Sequence, residues 1–178
     1  ILEQIRDELH QGSILVDIAS WKGDFDVTLR DVAERTQASV ASLHPMADAE
    51  LPSLRGQKIL IMRVGSQSDR AIQFTRALFE QLEMAVREIQ FDSHDRVMAL
   101  LQGIPHGSGQ SLCQTFAHLL QELGIGMHEL AKIQSPHFRL CSQAFGRTMT
   151  QSPDLSAGII TAAMASPQPK SKAYEAGP

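Results

Sequence analysis

Two short apolar runs in this chain are each followed at once by side chains capable of chemistry. The run 13–19, SILVDIA, leads into Ser20, Trp21 and Lys22, and the run 39–43, SVASL, leads into His44, Pro45 and Met46. If both runs are neighbouring parallel strands, they deliver Ser20, Lys22 and His44 to one rim, because ligands of open α/β sheets bind beyond the carboxyl ends of the strands. Pro45 disfavours helical geometry at the residue before it, which holds His44 extended just past its strand. A neutral imidazole there accepts a proton or a strong hydrogen bond near neutral pH. Spacing alone leaves a second reading open, in which His44 is an exposed loop histidine.

Further polar groups lie in the second half. Asp92, Ser93, His94 and Asp95 read as a helix start, where capping and first-turn acidity already account for Asp92, Ser93 and Asp95. Met98, Gln102 and His106 follow at i, i+4 and i+8, one stripe of a helix that Pro105 should kink. Beside Val97, Leu101 and Ile104, that stripe suits a face partly buried and partly lining a cavity, although His106 also fits a satisfied core histidine. Ser135-Pro136 opens another helix, in which Arg139 either snorkels to water or holds a carboxylate bidentately. Cations at Lys22 and Arg139, with histidines at 44, 94 and 106, suit an anionic organic substrate. The set does not suit zinc, since no histidines or cysteines fall at ligand spacing, nor a serine hydrolase, since Ser20 lies in no nucleophile elbow.

The elements needed to position these groups follow from periodicity. Helical spacing is expected over 1–10, 25–36 and 68–82, and strands over 13–19, 39–43, 58–62 and 86–90, an alternation that predicts crossover units and a mainly parallel sheet. Beyond residue 91 strand signals stop, and helices are expected over 92–123 (interrupted near Pro105), 126–134, 136–150 and 153–164. The fold class is therefore α/β followed by all-α, with domains at 1–90 and 91–164 and a disordered tail at 165–178. The sheet reads as the second half of a doubly wound dinucleotide domain. Nothing matches the glycine-rich turn that holds a pyrophosphate, and Gly103, Gly107 and Gly109 have the wrong spacing and no preceding strand.

Composition narrows the class of partner. The 178 residues are 43% apolar with a formal net charge of -4, which argues against a nucleic-acid partner. No apolar run approaches the roughly 20 residues needed to span a bilayer, and the N-terminus has no signal-peptide pattern. Cys113 and Cys141 read as reduced packing thiols, and a cytoplasmic location is expected.

Taken together, these motifs resemble the prephenate and arogenate dehydrogenases. ILVDIASWKG is similar to the strand and Ser-Val-Lys turn of that family, with Trp21 where Val is usual, and LHPM to the His-Pro-Met motif of its catalytic histidine. LPSLRGQKILIM resembles the segment leading to the next strand, SHDRVMALLQGIPH the Glu-His-Asp opening of the helical domain, and SPHFRL the segment bearing the substrate arginine. The matches keep the family's order over about residues 1–163.

The resemblance implies a Rossmann-like partial sheet, a helical dimerisation and substrate domain, and oxidative decarboxylation of prephenate or arogenate with hydride transfer to NAD or NADP. By the same resemblance His44 accepts a hydrogen bond from the ring hydroxyl, and Ser20 orients both groups beside the nicotinamide. Arg139 binds a substrate carboxylate, Lys22 supports binding, and His94, Gln102 and His106 line the pocket. A homodimer through the helical domain is expected. Three departures accompany this. The glycine-rich half is absent, so an N-terminally truncated chain is expected; the helical domain stops early; and Asp48 and Glu50 stand where an aromatic and a glycine are usual, carboxylates that would raise the His44 pKa if close. Alternative functions are a non-catalytic remnant that dimerises or binds an aromatic carboxylate, and a dehydrogenase for another β-hydroxy acid.

Overall fold

A computed structural model describes residues 2–23, 25–47, 51–150 and 152–165. The chain divides into two compact units between Asp95 and Arg96. In the first unit a short helix α1 (Leu2–Ile5) passes into a 3-10 turn at Arg6–Glu8, where a single helix over 1–10 was expected. There follow β1 (Ile14–Asp17), α2 (Phe25–Thr36), β2 (Ser39–Pro45), β3 (Lys58–Arg63), α3 (Asp69–Gln81) and β4 (Ala85–Glu88). The helix α4 (Phe91–Met98) then begins inside this unit.

The sheet runs β1-β2-β3-β4. β1 pairs with β2 and β3 with β4 in parallel, as two crossover units, while β2 and β3 are antiparallel. The sheet is thus mainly parallel with one reversal at its centre. That reversal lengthens β2 beyond the expected 39–43: His44 lies opposite Leu60 and Pro45 opposite Ile59, so the histidine is a strand residue and not a loop residue past the strand end. It also separates the carboxyl ends, with β1 and β2 finishing at one edge and β3 and β4 at the other.

Strand alternation assigns each residue to a face. Ala41, Leu43, Ile59 and Ile61 pack with Ala71 and Ile72 of α3 and with Val86. Val40, Met62 and Val64 pack on the opposite face with Leu29 and Ala33 of α2 and with Phe91. Ser39 ties the two layers' connections together. Its hydroxyl donates to the Gln67 carbonyl at 2.6 Å and accepts the Ala71 N–H at 2.9 Å, satisfying a donor at the start of α3.

The second unit is helical. A π-helical turn at Ala99–Gly103 leads into α5 (Ile104–Leu123), followed by α6 (Met127–Ile133), α7 (Pro136–Thr150) and α8 (Pro153–Ala165). Pro105 carries no N–H for the carbonyl four residues earlier and its ring crowds that group, so widening the turn before it relieves both problems. Met98 is buried, and Gln102 and His106 are half-buried, so the three stay on the more covered side through the π turn, while Leu101 and Ile104 are exposed. α5 ends at Gly124, whose φ of 63° and the Ile125 N–H to Leu120 carbonyl bond close the helix in a left-handed turn. Between α5, α6 and α7 lies an apolar cavity of about 240 Å³, lined by Cys113, Phe116, Leu120, Met127 and Phe138 among others. Neither cysteine is in a disulfide. No helix among the described residues is long and apolar enough to cross a membrane.

Gly103 permits the close approach of the π turn to α8, since a Cβ there would overlap the Ala163 side chain. Its backbone angles are ordinary right-handed helix, so contact and not φ decides the matter. Gly103→Ala is expected to destabilise the protein by about 1–3 kcal/mol in urea unfolding, with much of the loss recovered by adding Ala163→Gly. An unchanged unfolding midpoint would show that α8 yields without cost.

Candidate active site

The face of the sheet that carries Leu15 and Val40 turns polar towards the carboxyl ends of β1 and β2. Asp17 and Ser42 are register partners, and His44 follows two residues after Ser42 on the same side. The Ser42 hydroxyl donates to Asp17 Oδ2 at 2.6 Å. Asp17 is the one charge in the strand, and its carboxylate meets the Lys22 ammonium at 2.8 Å, the two side chains being 7% and 2% exposed. The remaining Lys22 N–H groups go to the carbonyl oxygens of Ala19 and, at 2.8 Å, Leu43. An ammonium has three donors, and all three are taken by protein. Lys22 therefore lacks a donor for substrate, contrary to the expectation from the sequence. Desolvation lowers its pKa, while the hydrogen bond and charge of Asp17, and the charge of Asp95, oppose that shift.

α4 supplies the other half. Phe91 is anchored in the core on the α2 side, and the helical repeat sets His94 and Asp95 on the same face. The Asp95 carboxylate accepts the backbone N–H of Lys22 at 3.0 Å and of Gly23 at 2.7 Å, clasping the turn after β1. It also meets His94 Nδ1 at 2.6 Å, and His94 Nε2 lies 2.8 Å from His44 Nδ1. Asp95 is thus a structural hub and not a cap; the helix has already begun at Phe91. Burial would raise the Asp95 pKa, but hydrogen bonds from His94, Gly23 and Lys22 outweigh it and hold the carboxyl below its ordinary value.

His44 is 3% exposed, which rules out the exposed-loop reading. Desolvation first, then the charges of His94 and Lys22, depress its pKa to about 4 against smaller opposing effects of Asp95 and Asp17. The imidazole is neutral at physiological pH. Its Nε2 has no hydrogen-bond partner among the described residues and is the atom left for a ligand. His94 is completely buried with both ring nitrogens engaged, so it backs His44 and does not line a pocket against substrate, as the sequence had suggested. Ser20 is exposed in the turn after β1, at the same edge of the sheet.

The remaining sequence candidates belong to the second unit. Arg139 is exposed on α7, its backbone N–H bonded to the Ser135 carbonyl, while Gln102 and His106 are half-buried in the π turn and in α5. Asp48 and Glu50, the carboxylates expected near His44, lie outside the described residues, as do residues 166–178 of the tail. Asp17, Ser42 and Asp95 were not anticipated as site residues. A lone Asp inside an apolar strand was the available signal for Asp17, because a buried charge needs a partner; the Ser42 contact depends on strand register and had none.

Known proteins resemble this chain in sequence and in fold. The family described as the prephenate dehydrogenase dimerization domain matches residues 90–176. A probable arogenate/prephenate dehydrogenase of Methanocaldococcus jannaschii is 27% identical over 164 residues, covering 89% of this chain and 35% of that protein. The T-protein of Enterobacter agglomerans is 30% identical over 155 residues, covering 85% and 38%. The chain is similar to the arogenate and prephenate dehydrogenases. It spans less than half the length of these curated relatives. The fold is shared with Synechocystis arogenate dehydrogenase (TM-score 0.64, 18% identity, covering 92% of this chain and 58% of that one). It is shared also with Aquifex aeolicus prephenate dehydrogenase, solved with hydroxyphenyl propionate and NAD+ (TM-score 0.62, 17% identity, covering 90% and 55%).

Two outcomes test this description. Lys22→Met leaves the Asp17 carboxylate buried without its cation and should cost roughly 3–5 kcal/mol in urea unfolding; unchanged stability with weakened substrate binding would return Lys22 to a substrate role. Because the folded-state pKa of His44 is depressed, the stability that its neutral form supplies is complete above about pH 6.5 and is lost as pH falls towards about 4. Wild type should therefore lose more stability between those limits than His44→Asn, and equal losses would contradict the depressed pKa.

Proposed function

We propose that this chain provides the hydroxyl-polarising site of a prephenate dehydrogenase-type oxidoreductase, acting on prephenate or arogenate in the formation of the tyrosine ring. The observation that carries the proposal is a buried, neutral His44 whose Nε2 is unpartnered at the carboxyl edge of β1 and β2. Such a nitrogen accepts the hydrogen bond of the ring hydroxyl as positive character develops on the carbon that bears it. Ser20, exposed at the same edge, orients that hydroxyl. Loss of carbon dioxide then sends an electron pair into the ring, which becomes aromatic, so the protein's task is to position the substrate and polarise the hydroxyl. Lys22 acts indirectly, as a buried cation that keeps His44 neutral.

NAD or NADP is the hydride acceptor such a reaction requires. The described residues do not fit its pyrophosphate: β1 is preceded by a helix and a 3-10 turn, and the connection from β1 to α2 carries Gly23 alone. A cradle would have to come from outside the described residues. That same observation supports the second reading, a non-catalytic module that still binds an aromatic carboxylate.

For the second unit, the family resemblance assigns the substrate carboxylate to Arg139, with Gln102 and His106 as further substrate-binding residues. Its helices leave Leu119, Leu123, Met127, Ile133 and Leu140 exposed, a surface suited to a second copy of the chain. The proposed assembly is a homodimer, checked by light scattering after size exclusion; a monomer at micromolar concentration would remove it.

Turnover of prephenate and arogenate with NAD and NADP, followed as reduced cofactor beside a His44→Asn control, tests the enzymatic reading. Turnover abolished in the control supports the role of His44. A folded protein that binds hydroxyphenyl propionate without turnover favours the binding-module reading, and a folded protein that neither turns over nor binds overturns both.

A further inference from the structure

The His44 ring can serve as an acceptor only if its proton sits on Nδ1. Asp95 is ionised and accepts three N–H groups, from Lys22, Gly23 and the His94 ring, and a carboxylate can offer no proton in return. In neutral His94 the proton must then lie on Nδ1, which leaves His94 Nε2 with a lone pair. That lone pair faces His44 Nδ1 at 2.8 Å, with the rings 5.0 Å apart between centroids and tilted by 53°. Each link determines the next.

We propose that His94 and Asp95 are positioning residues for His44: Asp95 fixes the His94 tautomer, His94 accepts the His44 Nδ1–H, and His44 Nε2 is thereby presented as a bare acceptor. The catalytic consequence rests on the function proposed above, while the tautomer itself does not. The charged groups around His44 are consistent with this. Asp17 and Lys22 form a closed pair on the β1 side, and on the α4 side Asp95 meets it through His94. Asp95 has a second duty, since it also holds the backbone of the turn next to Ser20. The relay and the placement of that turn are therefore coupled through one carboxylate. A doubly protonated His94 would reverse the outcome: it would donate to His44 Nδ1, put the His44 proton on Nε2 and abolish the acceptor.

Long-range proton–nitrogen correlation on the nitrogen-15-labelled full chain reads the tautomer directly, with the His44 signals assigned by their loss in His44→Asn. The expected result is His44 protonated on Nδ1 in wild type and in His94→Gln, whose side-chain oxygen replaces the acceptor. His94→Leu and Asp95→Asn should shift it towards Nε2–H. If Asp95→Asn fails to fold, the Gln and Leu variants at 94 decide the matter. In the turnover assay His94→Leu should lower kcat by about tenfold or more with little change in KM, and His94→Gln should restore most of it. A wild-type His44 protonated on Nε2, or a tautomer indifferent to residue 94, overturns the proposal. Absence of turnover in every form, with the expected tautomers, defeats the functional reading and leaves the relay standing.

Discussion

An ammonium group buried at the edge of the sheet constrains everything around it. Lys22 is covered by the protein, and removing such a charge from water costs several kcal/mol unless every donor is matched. Here the match requires β1 to end in a carboxylate at Asp17, the turn to present the Ala19 carbonyl, and β2 to bring the Leu43 carbonyl alongside. Those three demands fix the turn after β1 against the residue that precedes His44. The backbone of the same lysine is bound by Asp95, so the geometry of α4 is tied to it as well. The cation also helps keep the neighbouring imidazole neutral. A residue that looked like a substrate contact thus organises the site from behind.

The sheet explains why the polar groups gather where they do. The parallel pairing of β1 and β2 puts Asp17 beside Ser42, and strand alternation puts His44 on the same face. The antiparallel step to β3 extends β2 through Pro45 and buries His44 against its neighbours, which produces the desolvation that depresses its pKa.

In the helical unit, proline and glycine at neighbouring positions solve separate problems. Pro105 forces the backbone to widen into the π turn, and Gly103 at its end lets α8 approach. The widened turn takes up the drift that a regular helix would accumulate, so Met98, Gln102 and His106 remain on the more covered side across it.

The sequence by itself determined the alternation of strands and helices, the helices at 25–36 and 136–150 to the residue, the change to all-helical structure near residue 91, and the strand that leads into His44. These are local matters: apolar periodicity, and proline or glycine at element boundaries, write them into short windows. The family resemblance was legible for the same reason, since its motifs are short and keep their order. Tertiary structure alone decided that Lys22 is saturated, that His94 stands behind His44, that Asp95 is a hub, and that one strand pairing is reversed. Each depends on which residues distant in the chain become neighbours, as with Lys22 and Asp95 or His44 and His94, and a buried donor's partners are counted only once the chain has closed around it.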